Sequence, residues 1–375
     1  MQQLLTKAQY QQIIELRKAL HEIPELSGQE IHTRKLLMDF LKEHTSLTIV
    51  DKEKWFYAYH DEQATETIAL RADHDAIVNQ EGKAFHGCGH DGHSAIMCGV
   101  ALAMETKTFG KNIVLIFQAS EENGQGAKWV VPTLHELQVN RVYGLHNFPG
   151  WELGRPLIKK GTFMCASKGM NIEFVGKQSH ASQPEKGNNP IYATARLIQD
   201  VESLSHFNGY VPTEWQNMMF SSMVLCTVVA SSLGTLGAFG VSPAVSRLQL
   251  TLRAAVDEDL ATLTKKLENM ISQYAIRYQL EYQITYEDEF PDTTNTEKEV
   301  ELLETLFTSI GKNPVVWEEP FRASEDFGWY LKTIPGSFFG IGAGEDHPKL
   351  HHELYEFPDS IILDAIQAFY AIISE

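Results

Sequence analysis

Cysteine is scarce in this chain: four in 375 residues, at Cys88, Cys98, Cys165 and Cys226. Their spacing contains no disulfide framework, which excludes a small cross-linked secreted fold and points to a reduced, cytoplasmic protein. A Lys/Arg block is also missing, and the net charge is −18. Nucleic acid and anionic membrane surfaces are therefore not expected as partners. No apolar run reaches the ~18–20 residues that a spanning helix needs. The first twenty residues read as an amphipathic helix rich in Gln, without the apolar core of a secretion signal. There is no internal repeat and no low-complexity segment. What is left is an ordinary globular composition, 43% apolar and 21% charged, in a chain long enough for two domains.

The run His86-Gly87-Cys88-Gly89-His90-Asp91-Gly92-His93 stands out. Five potential metal ligands fall within eight residues, separated by glycines. Cys binds metal as thiolate, His through a neutral ring nitrogen and Asp through oxygen. Glycine lets the backbone turn sharply beside a bound ion. A solvated His or a small buried Cys is the bland reading of any one of these residues. As a unit, the octet has too little apolar bulk to be a core loop. Structural zinc sites show paired Cys-x2-Cys or His-x3-His spacings. Cys88-x-His90 has no such partner pair, so a catalytic or binuclear centre is favoured.

Hydrophobic periodicity places helices over residues 7–22 and 29–44, with Pro24 and Gly28 between them. Thr67–Ala72 and Asn112–Ala119 read as buried strands, Ser94–Thr106 and Gly126–Leu137 as helices, and Arg141–Phe148 as a strand. Strands alternating with helices predict an α/β domain with a mostly parallel central sheet and flanking helices. In such sheets ligand groups gather beyond the carboxyl ends of the strands. Asp73, Asp75, Glu121, Glu122 and His146 all lie at or just past such ends.

The texture changes near Lys168. Strands at Met170–Val175, Met223–Ala230, Arg247–Ala255 and Tyr282–Tyr286, with helices at Asn189–Leu204 and Asp257–Tyr278, follow a β-α-β-β-α-β order. That order predicts a smaller α+β domain, a four-stranded sheet with two helices on one face. The α/β pattern then resumes with a helix at Glu297–Ile310, a Gly-rich strand at Ser337–Ala343 and a helix at Ser360–Ser374. The expected organisation is a catalytic domain over 1–168 and 283–375, interrupted by an inserted lid or dimerisation domain over 169–282.

Glu121 and Glu122 are adjacent in an extended segment, so their side chains diverge. One can bind metal while the other faces a substrate as a base. His146 alone reads equally as a core imidazole or a ligand. Of His351-His352, one is expected to point into the site and one away. Asp73 and Asp75 are candidates to accept the free N–H of a ligating His, which fixes its tautomer and raises its basicity.

Several runs occur together in this order: Leu20-His21-Glu22-Ile23-Pro24-Glu25-Leu26, Arg71-Ala72-Asp73-His74-Asp75-Ala76, the octet, Phe117-Gln118-Ala119-Ser120-Glu121-Glu122, Gly144-Leu145-His146, Ser179-His180-Ala181, Ser324-Glu325-Asp326-Phe327 and Leu350-His351-His352. In these the chain resembles the M20 metallopeptidase superfamily, in the amidohydrolase branch with hippurate hydrolases, auxin-conjugate hydrolases and N-acetyl-diaminopimelate deacetylases. The resemblance implies two divalent transition-metal ions, Zn, Mn, Co or Ni, held by Cys88, His90, Glu122, His146 and His351 with Cys88 bridging. It implies Glu121 as general base and later general acid. His180 would approach the substrate carbonyl from the lid, in its own or a second subunit. Arg253 matches a lid-strand Arg linked to substrate carboxylate or to structural pairing. The chain departs from the family pattern in the short Ala76–Phe85 segment, in His74 where an apolar residue is usual, and in Gly240-Val241-Ser242-Pro243.

The expected activity is metal-dependent hydrolysis of the amide bond in N-acyl amino acids or small related conjugates, by a homodimer or higher homo-oligomer. A small dipeptidase or carboxypeptidase is the alternative enzyme. A non-catalytic binding protein that keeps the fold is the alternative from another class, and the intact Glu121 argues against it.

Overall fold

A computed structural model describes residues 4–375 and divides the chain into two compact units. The first holds the chain up to Phe163 together with Thr293–Glu319 and Glu325–Glu375. It is built on an eight-stranded sheet in the order Thr48–Asp51, Phe56–His60, Asn112–Gln118, Thr67–Asp73, Arg141–Pro149, Gly336–Gly344, Pro156–Ile158 and Val315–Val316. The four central strands run parallel to one another, and the pairs at either side are mixed. Thr67–Asp73 and Asn112–Gln118 are buried along their whole length. Their continuous apolar runs are those of strands covered on both faces.

The helix His90–Met104 is buried from end to end. Lys7–His21, Ile31–His44 and Ile362–Ile373 pack on it. Gly99 lies against Ile366, whose Cδ1 would stand 2.3 Å from an added Cβ, so a side chain there would part the two helices. The expectation of a helix from Ser94 is extended by one turn. Gly89 adopts φ +88°, reverses the chain, and lets the helix begin at His90. The second half of the octet is thus helical and the first half is the loop leading into it. The antiparallel edge Thr48–Asp51 and Phe56–His60 was not expected, because strands this short leave little periodicity.

The second unit comprises Met164–Asp292 and Pro320–Ser324. Its sheet runs Val224–Leu233, Val245–Ala254, Ala166–Val175, Glu281–Phe290, all antiparallel. Helices Ile191–Val201 and Asp257–Tyr278 share the core on one face, with Leu197, Leu263 and Leu267 against Ile172, Leu250 and Leu252. The unit is larger than 169–282. Ala166–Val175 pairs from Ala166 onward, and Glu281–Phe290 continues its ladder to Phe290. Pro320–Ser324 joins because the Cys165 amide donates to Phe321 and Ala323 carbonyls at 3.1 Å. No helix among the described residues is long and apolar enough to cross a membrane.

Candidate functional site

Three parallel strands deliver the site. Asp73 and Gln118 are paired at the carboxyl ends of their strands, and His146 lies on the third beside Gly340. Beyond Gln118 the chain turns at Ser120, which holds φ +58°, and presents Glu121 and Glu122. The octet leads into the site through the turn at Gly89. A Cβ on Gly89 would lie 2.6 Å from the Tyr355 hydroxyl and 2.7 Å from Asn147 Oδ1, so only glycine fits this entry.

Cys88, His90 and Glu122 bring their donor atoms within 4.8 Å of one another. His90 Nδ1 faces the Asp75 carbonyl at 3.0 Å and Asp75 Oδ1 at 3.2 Å. A carbonyl only accepts, so Nδ1 carries the proton and Nε2 keeps its lone pair. That Nε2 is buried without a hydrogen-bond partner, as is Glu122 Oε1, 3.8 Å away. Two unpartnered buried acceptors facing each other are costly unless a cation lies between them. His146 repeats the pattern: Nδ1 donates to the Asn147 carbonyl at 2.7 Å, which leaves Nε2 as a ligand. His351 Nε2 stands 2.9 Å from Cys88 Sγ. The donor set, imidazole, thiol and carboxylate, suits a divalent transition metal.

The electrostatics agree. Although burial opposes it, Asp73, Asp75 and Glu122 raise His90 to about 10: the surrounding carboxylates favour positive charge at Nε2, which a bound cation would supply in place of a second ring proton. Burial, then Glu122, pushes the Cys88 thiol well up, and burial lifts Glu122 to about 7. A dication reverses both shifts by stabilising the anions. Burial and the neighbouring His93 and His90 hold His146 well down, in the neutral form that binds metal.

Glu121 is not part of this cluster: its carboxylate lies within 4.8 Å of those of Glu325 and Asp326. It is 6% exposed, and the Asp326 amide approaches its Oε1 at 3.4 Å. Burial first, then Glu325 and Glu122, raises its carboxyl well above the usual range. Behind it lies a buried guanidinium. Arg71 donates to Asp73 at 2.6 Å, to Gln118 and Asp326 at 2.9 Å, and stands 3.1 Å from Glu325. One cation thus ties the floor of the site to the run Glu325-Asp326. These residues were legible as parts of motifs, but nothing local to them revealed that they meet.

The structure separates residues that the sequence left paired. Asp75 is the carboxylate on His90, whereas Asp73 bonds His93 Nδ1 at 2.6 Å. His93 Nε2 meets Asn147 Oδ1 at 2.7 Å, so both its nitrogens are engaged. His351 reaches Cys88, while the His352 ring accepts from the Leu354 amide at 3.1 Å in a local turn. His180 and Arg253 belong to the second unit. His180 is exposed, with Nδ1 2.7 Å from Ser182 Oγ. Arg253 donates to the Arg322 carbonyl and Ser324 Oγ, at 2.6 and 2.7 Å, and pairs with no carboxylate among the described residues.

Buried metal donors at the carboxyl ends of parallel strands, with a separate high-pKa acid beside them, are the equipment of a metallohydrolase. The chain belongs to peptidase family M20/M25/M40, whose pattern matches residues 69–375. It is 28% identical over 372 residues to a hippurate hydrolase of Campylobacter jejuni, covering 95% of this chain and 94% of that one. It is 29% identical over 377 residues to an N-acetyl-L-cysteine deacetylase of Bacillus subtilis, covering 96% and 86%. Its fold matches a dinuclear metal-binding M20 peptidase of Bacillus subtilis with TM-score 0.79 at 23% identity, over 98% of both chains. The protein is a metal-dependent hydrolase of amide bonds in the amidohydrolase branch of this family.

Proposed function

We propose that the protein hydrolyses the amide bond of N-acyl amino acids or small related conjugates. Cys88, His90, Glu122, His146 and His351 would hold two divalent transition-metal ions. When bound, such ions polarise an amide carbonyl and acidify water. Glu121 takes the proton from the attacking water as its oxygen bonds the carbonyl carbon. It then passes that proton to the amine nitrogen as the C–N bond breaks. Burial favours the protonated Glu121 carboxyl that the second transfer needs, and a dication held beside it would favour the carboxylate that the first one needs. Asp75 and Asp73 orient the imidazoles, and Arg71 anchors the floor. The observation that carries this reading is the divergence of Glu121 and Glu122: one faces the metal donors, the other does not.

The second unit serves as lid and dimerisation domain in this reading. His180 would donate to the developing oxyanion and Arg253 would receive a substrate carboxylate. Arg253 supports this by having no acidic partner among the described residues. Self-association is supported by the edge strand Val224–Leu233: every residue from Thr227 to Val241 is exposed, including Leu236 and Phe239. Such an edge is a template for a second copy. The four cysteines are free, as suits the cytoplasm.

A panel of N-acetyl, N-benzoyl and longer N-acyl amino acids beside a set of dipeptides, with Zn, Mn, Co and Ni in turn, tests the activity. Turnover of acyl amino acids with little cleavage of dipeptides is the expected result. The reverse preference would overturn the substrate class.

A further inference from the structure

The segment Glu25–Glu30 lies ahead of residues 69–375, which the family pattern matches, yet it reaches the turn that carries both active-site acids. Its backbone docks beside Asp75: the Ala76 amide donates to the Glu25 carbonyl at 2.8 Å, and Leu26 bridges Ala76. Ser27 Oγ donates to Asp75 Oδ2 at 2.7 Å, and the Glu122 amide donates to the same oxygen at 3.0 Å. Glu30 Oε1 receives the Ser120 amide at 2.8 Å. Glu30 is buried and makes no ion pair with Lys, Arg or His among the described residues. Thus the amides of Ser120 and Glu122, one on each side of Glu121, are each held by a carboxylate.

Ser120 needs that support. A non-glycine residue at φ +58° is strained and persists only where its surroundings over-determine it. The Gly126 amide holds the Ser120 carbonyl at 3.0 Å, so the peptide units on both sides of Ser120 are tied down.

We infer that Glu30 is a positioning residue for amide hydrolysis: its acceptor oxygen holds the left-handed Ser120 turn and thereby aims Glu121 and Glu122. What the turn requires is an acceptor at that point, not a negative charge. Gln offers an amide oxygen at the same reach. Asp keeps the charge but withdraws the oxygen by one methylene. The inference about catalysis rests on the proposed amide hydrolysis; the one about the turn does not.

Full-length Glu30→Gln, Glu30→Asp and Glu30→Leu are compared with the wild type by three measurements. These are hydrogen exchange of peptides spanning 119–126, Zn²⁺ affinity by chelator competition, and kcat and KM on the best acyl amino acid of the panel. Glu30→Gln should match the wild type. Glu30→Asp and Glu30→Leu should exchange faster over 119–126, bind Zn²⁺ about 10–100-fold more weakly, and lose kcat with little change in KM. If Glu30→Leu does not fold, the Asp and Gln variants decide the matter. Glu30→Asp behaving as wild type while Glu30→Gln is impaired would overturn the inference, because charge would then be what matters. Unchanged exchange and Zn²⁺ affinity in all variants would overturn it as well. A wild type that hydrolyses no amide, with exchange and Zn²⁺ affinity shifting as expected, would sink the proposed activity and uphold the turn.

Discussion

Replacing Glu121 by Gln isolates proton transfer from everything else at the site. The two side chains are nearly isosteric, and the Gln oxygen can still take the Asp326 amide that now lies 3.4 Å from Oε1. The carboxyl of Glu121 is grouped with Glu325 and Asp326, not with Cys88, His90 and Glu122. Metal content should therefore be unchanged. Folding stability should hold or rise, because burial and three neighbouring acids already disfavour the charged Glu121. Turnover should fall by about 10²–10⁴-fold, the range for losing a general base. That corresponds to about 2.7–5.4 kcal/mol in the barrier. The assay is steady-state hydrolysis of the best acyl amino acid, with metal content by mass spectrometry and melting temperature on the same preparation. A variant that is folded, fully metallated and within threefold of the wild-type kcat would refute the role given to Glu121. A variant that loses metal would show that the two acids do not divide their work as the geometry implies.

Cys88→Ala should lower metal stoichiometry and activity together, since its sulfur meets both the His90–Glu122 pair and His351; equal metal content in variant and wild type would remove it from the ligand set. His74 is fully buried with both ring nitrogens unpartnered, and burial lowers it from 6.5 to about 4. The unfolded chain therefore binds a proton that the folded chain refuses, so His74 costs no charge stability above about pH 6.5 and up to about 3 kcal/mol as pH falls to 4. His74→Leu should be more stable and less acid-sensitive than the wild type in urea melts at pH 7 and pH 4.5; an identical loss between the two pH values in both proteins would contradict this. If His180 acts across a dimer, mixing inactive His180→Ala with inactive Glu121→Gln subunits should restore partial activity, and proven subunit exchange with no recovery would return His180 to its own subunit's site.

Much of this protein is written locally. Apolar runs such as Asn112–Gln118 and the 3.6-residue period of Asp257–Tyr278 mark their elements because a strand buried on both faces and an amphipathic helix each need a particular residue order. The octet is legible for the same reason: thiol, imidazole and glycine in eight residues have few uses other than metal. The separation of Glu121 from Glu122, expected from an extended segment, is instead made by a turn: both follow left-handed Ser120, and the Gly124 amide closes on the Glu121 carbonyl at 2.8 Å.

What the sequence could not decide are choices between chemically equal neighbours. His351 and His352 differ only in direction, and the left-handed φ of +66° at His351 turns its ring to Cys88. Asp73 and Asp75 each suit an imidazole, and the fold assigns Asp73, at the end of its strand, to His93 and Asp75, in the loop beyond it, to His90. Arg71 meets Glu325 and Asp326 across more than 250 residues of chain, and Glu30 meets Ser120 across 90. No periodicity or spacing encodes such contacts. They arise only when packing of the sheet and helices brings distant segments together, and burial then makes each hydrogen bond obligatory.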